Sequence, residues 1–112
     1  MAGRFDILAR IERDHGDRDA HGNVVPDWRT YADVWVDVED GSGRELFRAQ
    51  QVQANISAIV TLREEVPGIA PKDRVVLTDN RDNTRVFEIS AISGVSERTP
   101  RSGPALSCVE VV

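Results

Sequence analysis

One segment sets the architecture of this chain and reads Tyr31-Ala32-Asp33-Val34-Trp35-Val36-Asp37-Val38-Glu39. Every second residue from Ala32 to Val38 is apolar, and the residues between them are mostly acidic. Side chains alternate between the two faces of a strand, so this period of two predicts a β-strand with one face on a core. Trp35 is the exception, because it falls on the polar face. An aromatic side chain there either packs locally, for instance over a sheet edge, or contacts another chain.

Five further segments flank this one and have the same strand character. The predicted strands are Phe5–Arg13, Trp28–Glu39, Ile56–Arg63, Arg74–Thr78, Arg85–Ile92 and Leu106–Val112. Polar or Gly/Pro-containing connections separate them: a long exposed loop at 14–23, turns at 66–71 and 79–83, and a loop at 94–104. Fifteen valines and seven isoleucines against five leucines also favour strands. We therefore expect a mainly β fold, a small antiparallel β-barrel or sandwich of about six strands, in one domain covering residues 1–112.

The exception to this β pattern is an excursion over about residues 40–55. Ser42 and Glu45 have the spacing of a capping box, in which Ser42 is the N-cap and Glu45 returns a hydrogen bond to it. A short helix is predicted from about Gly43 to Ala54. Its glutamines do not suit a dry core, since every amide would need a partner there. The helix is therefore expected to lie on the surface.

Composition and charge exclude several classes of protein. The 112 residues carry a formal charge of −5, so no chain-wide basic footprint for nucleic acid exists. No run of eighteen apolar residues is present, which argues against a membrane helix. The first residues lack the apolar core of a secretory signal. A single cysteine, Cys108, rules out an internal disulfide framework.

Motifs for metal binding or catalysis are weak. The run from Asp17 to Gly22 begins like a calcium loop, but its twelfth position is Trp28 where a bidentate Glu is needed. His15 and His21 have no third zinc ligand at a recognisable spacing. Cys108 lies in a β segment and is expected to be buried and structural. We expect no enzyme activity, no cofactor and no metal.

The excursion also carries a resemblance to a known family. Residues 42–51 read Ser-Gly-Arg-Glu-Leu-Phe-Arg-Ala-Gln-Gln and resemble a signature of the phage head–tail joining proteins, also called head-closure or stopper proteins, of long-tailed phages and gene transfer particles. The order of other pieces agrees with that family over roughly residues 5 to 112. Those pieces include the strand at 31–39, the turn at 68–71 and the segment 85–89.

The resemblance implies a structural, non-enzymatic protein of the virion neck, made in the cytoplasm of a bacterial host. Such proteins form a ring, commonly of twelve subunits, below the portal and adaptor rings and above the tail terminator or tail tube. They retain DNA in the head, let it pass through a channel without sequence-specific binding, and dock the tail. No membrane contact is implied.

Candidate interface residues follow from the charge pattern and aromatic side chains of the excursion, and from the exposed aromatic of the long strand. They are Arg44, Glu45, Leu46, Phe47, Arg48, Gln50, Gln51 and Trp35. Two alternatives stay open: a tail terminator or other connector ring protein of the same neck, and a small β-barrel that binds nucleic acid. The second would need a basic groove with stacking aromatics.

Overall fold

The computed structural model describes residues 7–41, 43–78, 84–93 and 103–111. Eight strands and one helix lie in these ranges. In chain order they are β1 (Ile7–Asp14), β2 (Asp17–Arg18), β3 (Val24–Val25), β4 (Trp28–Asp40), α1 (Arg44–Val52), β5 (Ala58–Leu62), β6 (Arg74–Thr78), β7 (Thr84–Ser93) and β8 (Ala105–Val111). The six longer strands match the six that the sequence predicts.

These six strands form a closed antiparallel barrel in the order β1-β4-β5-β8-β7-β6. Closure comes from β6, which pairs with β1 through Ala9 opposite Leu77 and Ile11 opposite Val75. Every barrel strand is thus hydrogen-bonded on both sides, which removes the free edges that an open sheet would present. The prediction of a mainly β fold is confirmed, and the architecture is the barrel.

The barrel interior is filled by the alternating apolar residues of each strand. In β4, Val34 and Val36 are buried while Asp33 and Trp35 are exposed, as the period of two predicts. All five residues of β5 are buried. Its outward-facing Ile59 belongs to a second, smaller apolar cluster, which helps to explain why β5 has no exposed face.

The barrel has two ends that differ in what they carry. At the end where β1 finishes and β4 begins, the buried Asp73 carboxylate accepts hydrogen bonds from Arg13 Nε at 2.7 Å and Nη2 at 2.8 Å. The Arg13 guanidinium also lies 4.0 Å from the centroid of the Tyr31 ring. Burial raises the pKa of Asp73, but the hydrogen bonds from Arg13 and from the Ala70 amide outweigh it and hold the pKa below its ordinary value. This pair ties β1 to the loop before β6.

At the opposite end, Arg85 bridges two carboxylates on two other strands. Its Nε and Nη2 each lie 2.9 Å from the Glu110 carboxylate, and its Nη1 lies 2.9 Å from Asp40 Oδ2. The hydrogen bonds from Arg85 lower the pKa of Glu110. The cluster joins β4, β7 and β8 where the hydrophobic interior stops.

The predicted short helix is present, with a different N-cap and slightly different bounds. It runs from Arg44 to Val52, against the predicted range of about Gly43 to Ala54, and its N-cap is Gly43; Ser42, the predicted N-cap, lies outside the described residues. The predicted loop at 14–23 is not wholly irregular, because β2 lies within it and pairs antiparallel with β3 in a second sheet of two strands. The predicted turn at 79–83 and residues 94–102 of the predicted loop also lie outside the described part of the chain.

Candidate interface surfaces

Helix α1 is attached to the barrel wall by a small apolar contact. Leu46 is buried and packs with Ile56, Ile59 and Ala105. The N-terminus of the helix is capped by β4, since the Leu46 amide donates to Glu39 Oε2 at 2.9 Å. This satisfies one of the amides that a helix start leaves without an internal partner.

Gly43 makes this cap possible. Its φ is 134°, a conformation that residues with a side chain rarely adopt, and a Cβ there would collide with the Glu39 side chain. The glycine therefore lets the Glu39 carboxylate reach the helix start.

Two glutamines fasten the far side of the excursion. Gln50 Nε2 donates to the Ile56 carbonyl at 2.9 Å, and the Ser90 hydroxyl donates to Gln53 Oε1 at 2.7 Å. Both amides stay outside the apolar cluster. Gln50 thus closes the excursion on itself, and Gln53 holds it to β7 by a polar contact.

The side of α1 that faces away from the barrel carries a mixed apolar and basic surface. We call it the outer stripe: Arg44, Phe47, Arg48, Gln51 and Val52. Residues three and four apart lie on the same side of a helix, so these five share one face. Phe47 is 62% exposed and Val52 is 92% exposed. A buried stripe and an exposed apolar stripe on one helix indicate a surface that suits another chain.

The predicted interface residues of the excursion do not all lie on this surface. Arg44, Phe47, Arg48 and Gln51 do, and Gln50 is exposed beside them. Leu46 differs, because it is buried within the same chain and anchors the helix. The side chain of Glu45 lies outside the described part of the structure. Val52 lies on the outer stripe as well, although it was not among the predicted interface residues.

Trp35 lies in the middle of the barrel wall. It is 41% exposed and stands opposite Leu8 of β1, which is also exposed. Because β4 pairs with β1 on one side and β5 on the other, Trp35 covers no sheet edge. The prediction that Trp35 packs over a sheet edge is therefore wrong. The two side chains instead form an exposed apolar cross-strand pair on the outside of a closed wall.

A second projection leaves the barrel between β1 and β4, and we call residues 14–27 the arm. Asp14 closes its base by accepting hydrogen bonds from the Gly16 and Asp27 amides at 2.7 and 2.8 Å. Asp19 closes its tip in the same way, with the His21 and Asn23 amides at 2.8 and 2.9 Å. These donations lower the pKa of Asp14 and of Asp19. The arm is therefore organised by its own hydrogen bonds.

The arm presents two adjacent valines to solvent. Val24 is 68% exposed and Val25 is 47% exposed. Neighbouring residues of a strand point to opposite faces, so the arm is apolar on both faces. The sequence held a signal for this strand: two β-branched residues that directly follow the Gly22-Asn23 turn.

The described part of the chain contains no cluster of metal-binding side chains. No group of three or more His, Cys, Asp and Glu side chains that could hold a metal occurs among those residues. Cys108 points into the barrel core, and burial raises the pKa of its thiol to about 12. It has the buried position that the sequence predicts. Helix α1, with nine residues, is too short to span a bilayer, and no other helix of the described residues could do so.

These observations define a small closed β-barrel with exposed apolar side chains on a helix, an arm and one wall. Comparison with solved structures agrees on the fold. A protein of Shigella flexneri 2a, known from its solution structure, has a TM-score of 0.70 and 19% identity, with 96% of this chain and 94% of that chain covered. A search of curated proteins found no match.

The family is given by a protein-family model described as phage head completion protein, which matches residues 1–111. The chain belongs to the phage head completion protein family. This confirms the resemblance drawn from the sequence and gives the chain a structural role in head closure, as part of the virion. The family is structural and not enzymatic.

Proposed function

We propose that this protein is a neck component that forms a ring between the portal or adaptor ring and the tail. In that position it closes the DNA-filled head and docks the tail. The observation that carries the proposal is membership in the head completion family over residues 1–111, on a fold whose exposed apolar side chains lie on three separate surfaces.

Those surfaces are the outer stripe of α1, the arm, and the Leu8–Trp35 pair. A subunit in the interior of a particle needs several different contacts: one on each side with neighbouring copies, and others with the rings above and below. A head-to-tail ring uses two different patches of each subunit. Three dispersed patches supply enough surface for such a set, whereas a monomer without partners has no use for them.

The charged side chains favour this structural role over the nucleic-acid alternative. Three of the arginines lie on aromatic rings and bind carboxylates at the same time: Arg13 on Tyr31, Arg74 on Trp28 and Arg85 on Phe87. Their carboxylate partners are Asp73, Glu12 and Glu110. An aromatic ring whose face is covered by a guanidinium group does not offer that face for stacking with a base. A guanidinium group that is paired with a carboxylate is not positioned to bind a phosphate. With a net charge of −5, the chain suits a channel wall that DNA passes without being held.

Electron microscopy of particles made without this gene tests the proposal. We expect filled or leaking heads beside free, complete tails, because the joint between them is absent. Normal tailed particles would contradict the proposal. Complementation with the natural gene should restore tailed particles.

A variant designed to keep the fold sharpens this test. Phe47 is exposed and contacts little of its own chain, so Phe47→Ser combined with Arg48→Ser should leave the melting temperature within a few degrees of the parent. We expect it to fail in complementation. Glu64→Ser, at an exposed position away from the outer stripe, serves as a control and should complement.

A further inference from the structure

The outer stripe and the arm lie on parts of the molecule that cannot meet within one copy. The arm leaves the barrel where β4 begins, and α1 follows the point where β4 ends. Thirteen extended residues span roughly 40 Å at about 3.3 Å per residue. The hydrogen bonds that Asp14 and Asp19 accept are internal to the arm, and Asp27 pairs with Arg29 at the start of β4; the described apolar contacts of α1 are with the barrel wall.

These two surfaces are nevertheless complementary. Residues 14–27 contain four aspartates and one arginine, a formal charge of −3. The outer stripe carries Arg44 and Arg48. Each surface also has apolar side chains among its charges: Phe47 and Val52 share one face of the helix, and the arm carries one valine on each of its two faces, Val24 on one and Val25 on the other. Opposite charge around an apolar contact is the arrangement of a specific protein interface.

Resting on the proposed ring function, we propose that the outer stripe of α1 receives the arm of a second copy of this chain. The contact is head-to-tail: the arm of one copy binds the helix of the next, whose own arm is free for a third. Such a heterologous contact propagates and closes into a ring when its rotation permits. Both sides are preorganised, the arm by its Asp14 and Asp19 hydrogen bonds and the helix by Leu46 and the Glu39 cap. Preorganisation lowers the ordering entropy lost on association.

The contact is small, since only a few side chains on each copy take part. Interfaces of this size are weak for an isolated pair. We therefore expect the contact to be stabilised by the many equivalent contacts of a closed ring.

Cysteine cross-linking tests the pairing directly. In the purified full chain, Val24→Cys and Phe47→Cys are combined and treated with a short bismaleimide at high protein concentration. The native Cys108 is buried and does not compete. We expect a ladder of covalent trimers and larger species, because each copy has one thiol on each side of the contact. Either single variant should stop at dimers.

The matched control moves one thiol to another exposed site, outside the three surfaces. Glu64→Cys with Phe47→Cys should give at least about tenfold less trimer and larger product, the ratio that about 1.4 kcal/mol of specific binding produces. The yield from the Val24 and Phe47 pair should fall as salt is raised, because part of the attraction is between charges. Equal ladders from the two pairs, or no ladder from the first, would overturn the proposal.

The same variants in assembled particles separate this contact from the proposed function. A ladder made only of this chain supports the contact. A cross-link from residue 24 to a different virion protein overturns it, and so does the absence of a ladder in particles that carry tails. Loss of tails on gene deletion without any ladder would leave the neck function standing and refute only the pairing; normal tails on deletion would refute the function.

Discussion

Truncating one leucine tests whether α1 is an attachment that folds onto an independent barrel. Leu46 and Leu62 are both buried leucines in the same chain, at 2% and 0% exposure. Leu62 faces the barrel interior, whereas Leu46 holds α1 to the outer wall. Replacing either with alanine removes the same atoms, so the comparison isolates the surroundings.

The two substitutions should lower the stability of the barrel by different amounts, because Leu62 fills the barrel interior and Leu46 only attaches α1 to the outer wall. Leu→Ala in a core costs about 2–5 kcal/mol, and for Leu62 we expect about 3–4 kcal/mol, since the closed barrel cannot collapse around the cavity. A domain of this size loses about 4 °C of melting temperature per kcal/mol, so Leu62→Ala should lower it by about 12–16 °C. Leu46→Ala cannot cost the barrel more than the docking free energy of α1. A nine-residue helix is marginal in water, so undocking melts it. We expect a fall of only a few degrees.

Thermal melting by circular dichroism gives the two shifts, and amide hydrogen exchange locates them. In Leu46→Ala the Phe47 and Gln53 amides, which bond to Gly43 and Ala49 carbonyls, should lose protection while barrel amides keep it. In Leu62→Ala the whole barrel should lose protection together. Equal melting shifts for the two variants, with barrel amides affected in both, would refute the independence of α1.

Three further predictions concern charged and titratable groups. Asp73 has a folded-state pKa below its unfolded value, so its contribution to stability is present at neutral pH and is lost as pH falls through the folded pKa. Asp73→Asn should therefore lower the free energy of unfolding by about 2 kcal/mol at pH 7 and flatten the acid limb of a stability–pH curve measured by denaturant unfolding. An unchanged acid limb would contradict this. Arg85→Met should raise the pKa of Glu110 toward its ordinary value in an NMR titration, because the bidentate hydrogen bonds that lower it are removed; an unchanged pKa would show that Arg85 does not hold it down. The Cys108 thiol should resist maleimide in the folded protein and react at once in denaturant, since it is both buried and protonated; rapid labelling of the native state would refute the buried position.

Much of the barrel was predictable because strand patterning is local. The alternation in β4 identifies its inner and outer faces residue by residue, and the predicted bounds of β6, Arg74–Thr78, match those of the structure. Barrel closure was not predictable as such. It depends on the pairing of β6 with β1, residues more than sixty positions apart, and no local pattern encodes that pairing.

The errors have equally physical origins. The predicted N-cap was wrong because a capping box takes both partners, Ser42 and Glu45, from the helix start, whereas the capping carboxylate comes from Glu39, seven residues before the amide that it binds. The arm was missed because its strands are only two residues long, and Val24 and Val25 lie between the predicted loop at 14–23 and the next predicted strand. Of the predicted interface residues, Arg44, Phe47, Arg48 and Gln51 form a single helical face. Leu46 was misassigned because sequence alone does not tell which apolar side of a short helix is buried.

The pairing of Asp40 with Ala58 has a consequence for how such a chain diversifies. These two residues are direct partners in the β4–β5 ladder, so the intervening seventeen residues leave and re-enter the barrel at one point. The free energy of closing a loop changes only slowly with its length. This segment can therefore be lengthened, shortened or exchanged without altering the hydrogen-bond ladders of the barrel. One invariant scaffold can accept different inserts, and particles built on the same barrel can acquire new neighbours by replacing a single contiguous piece of gene.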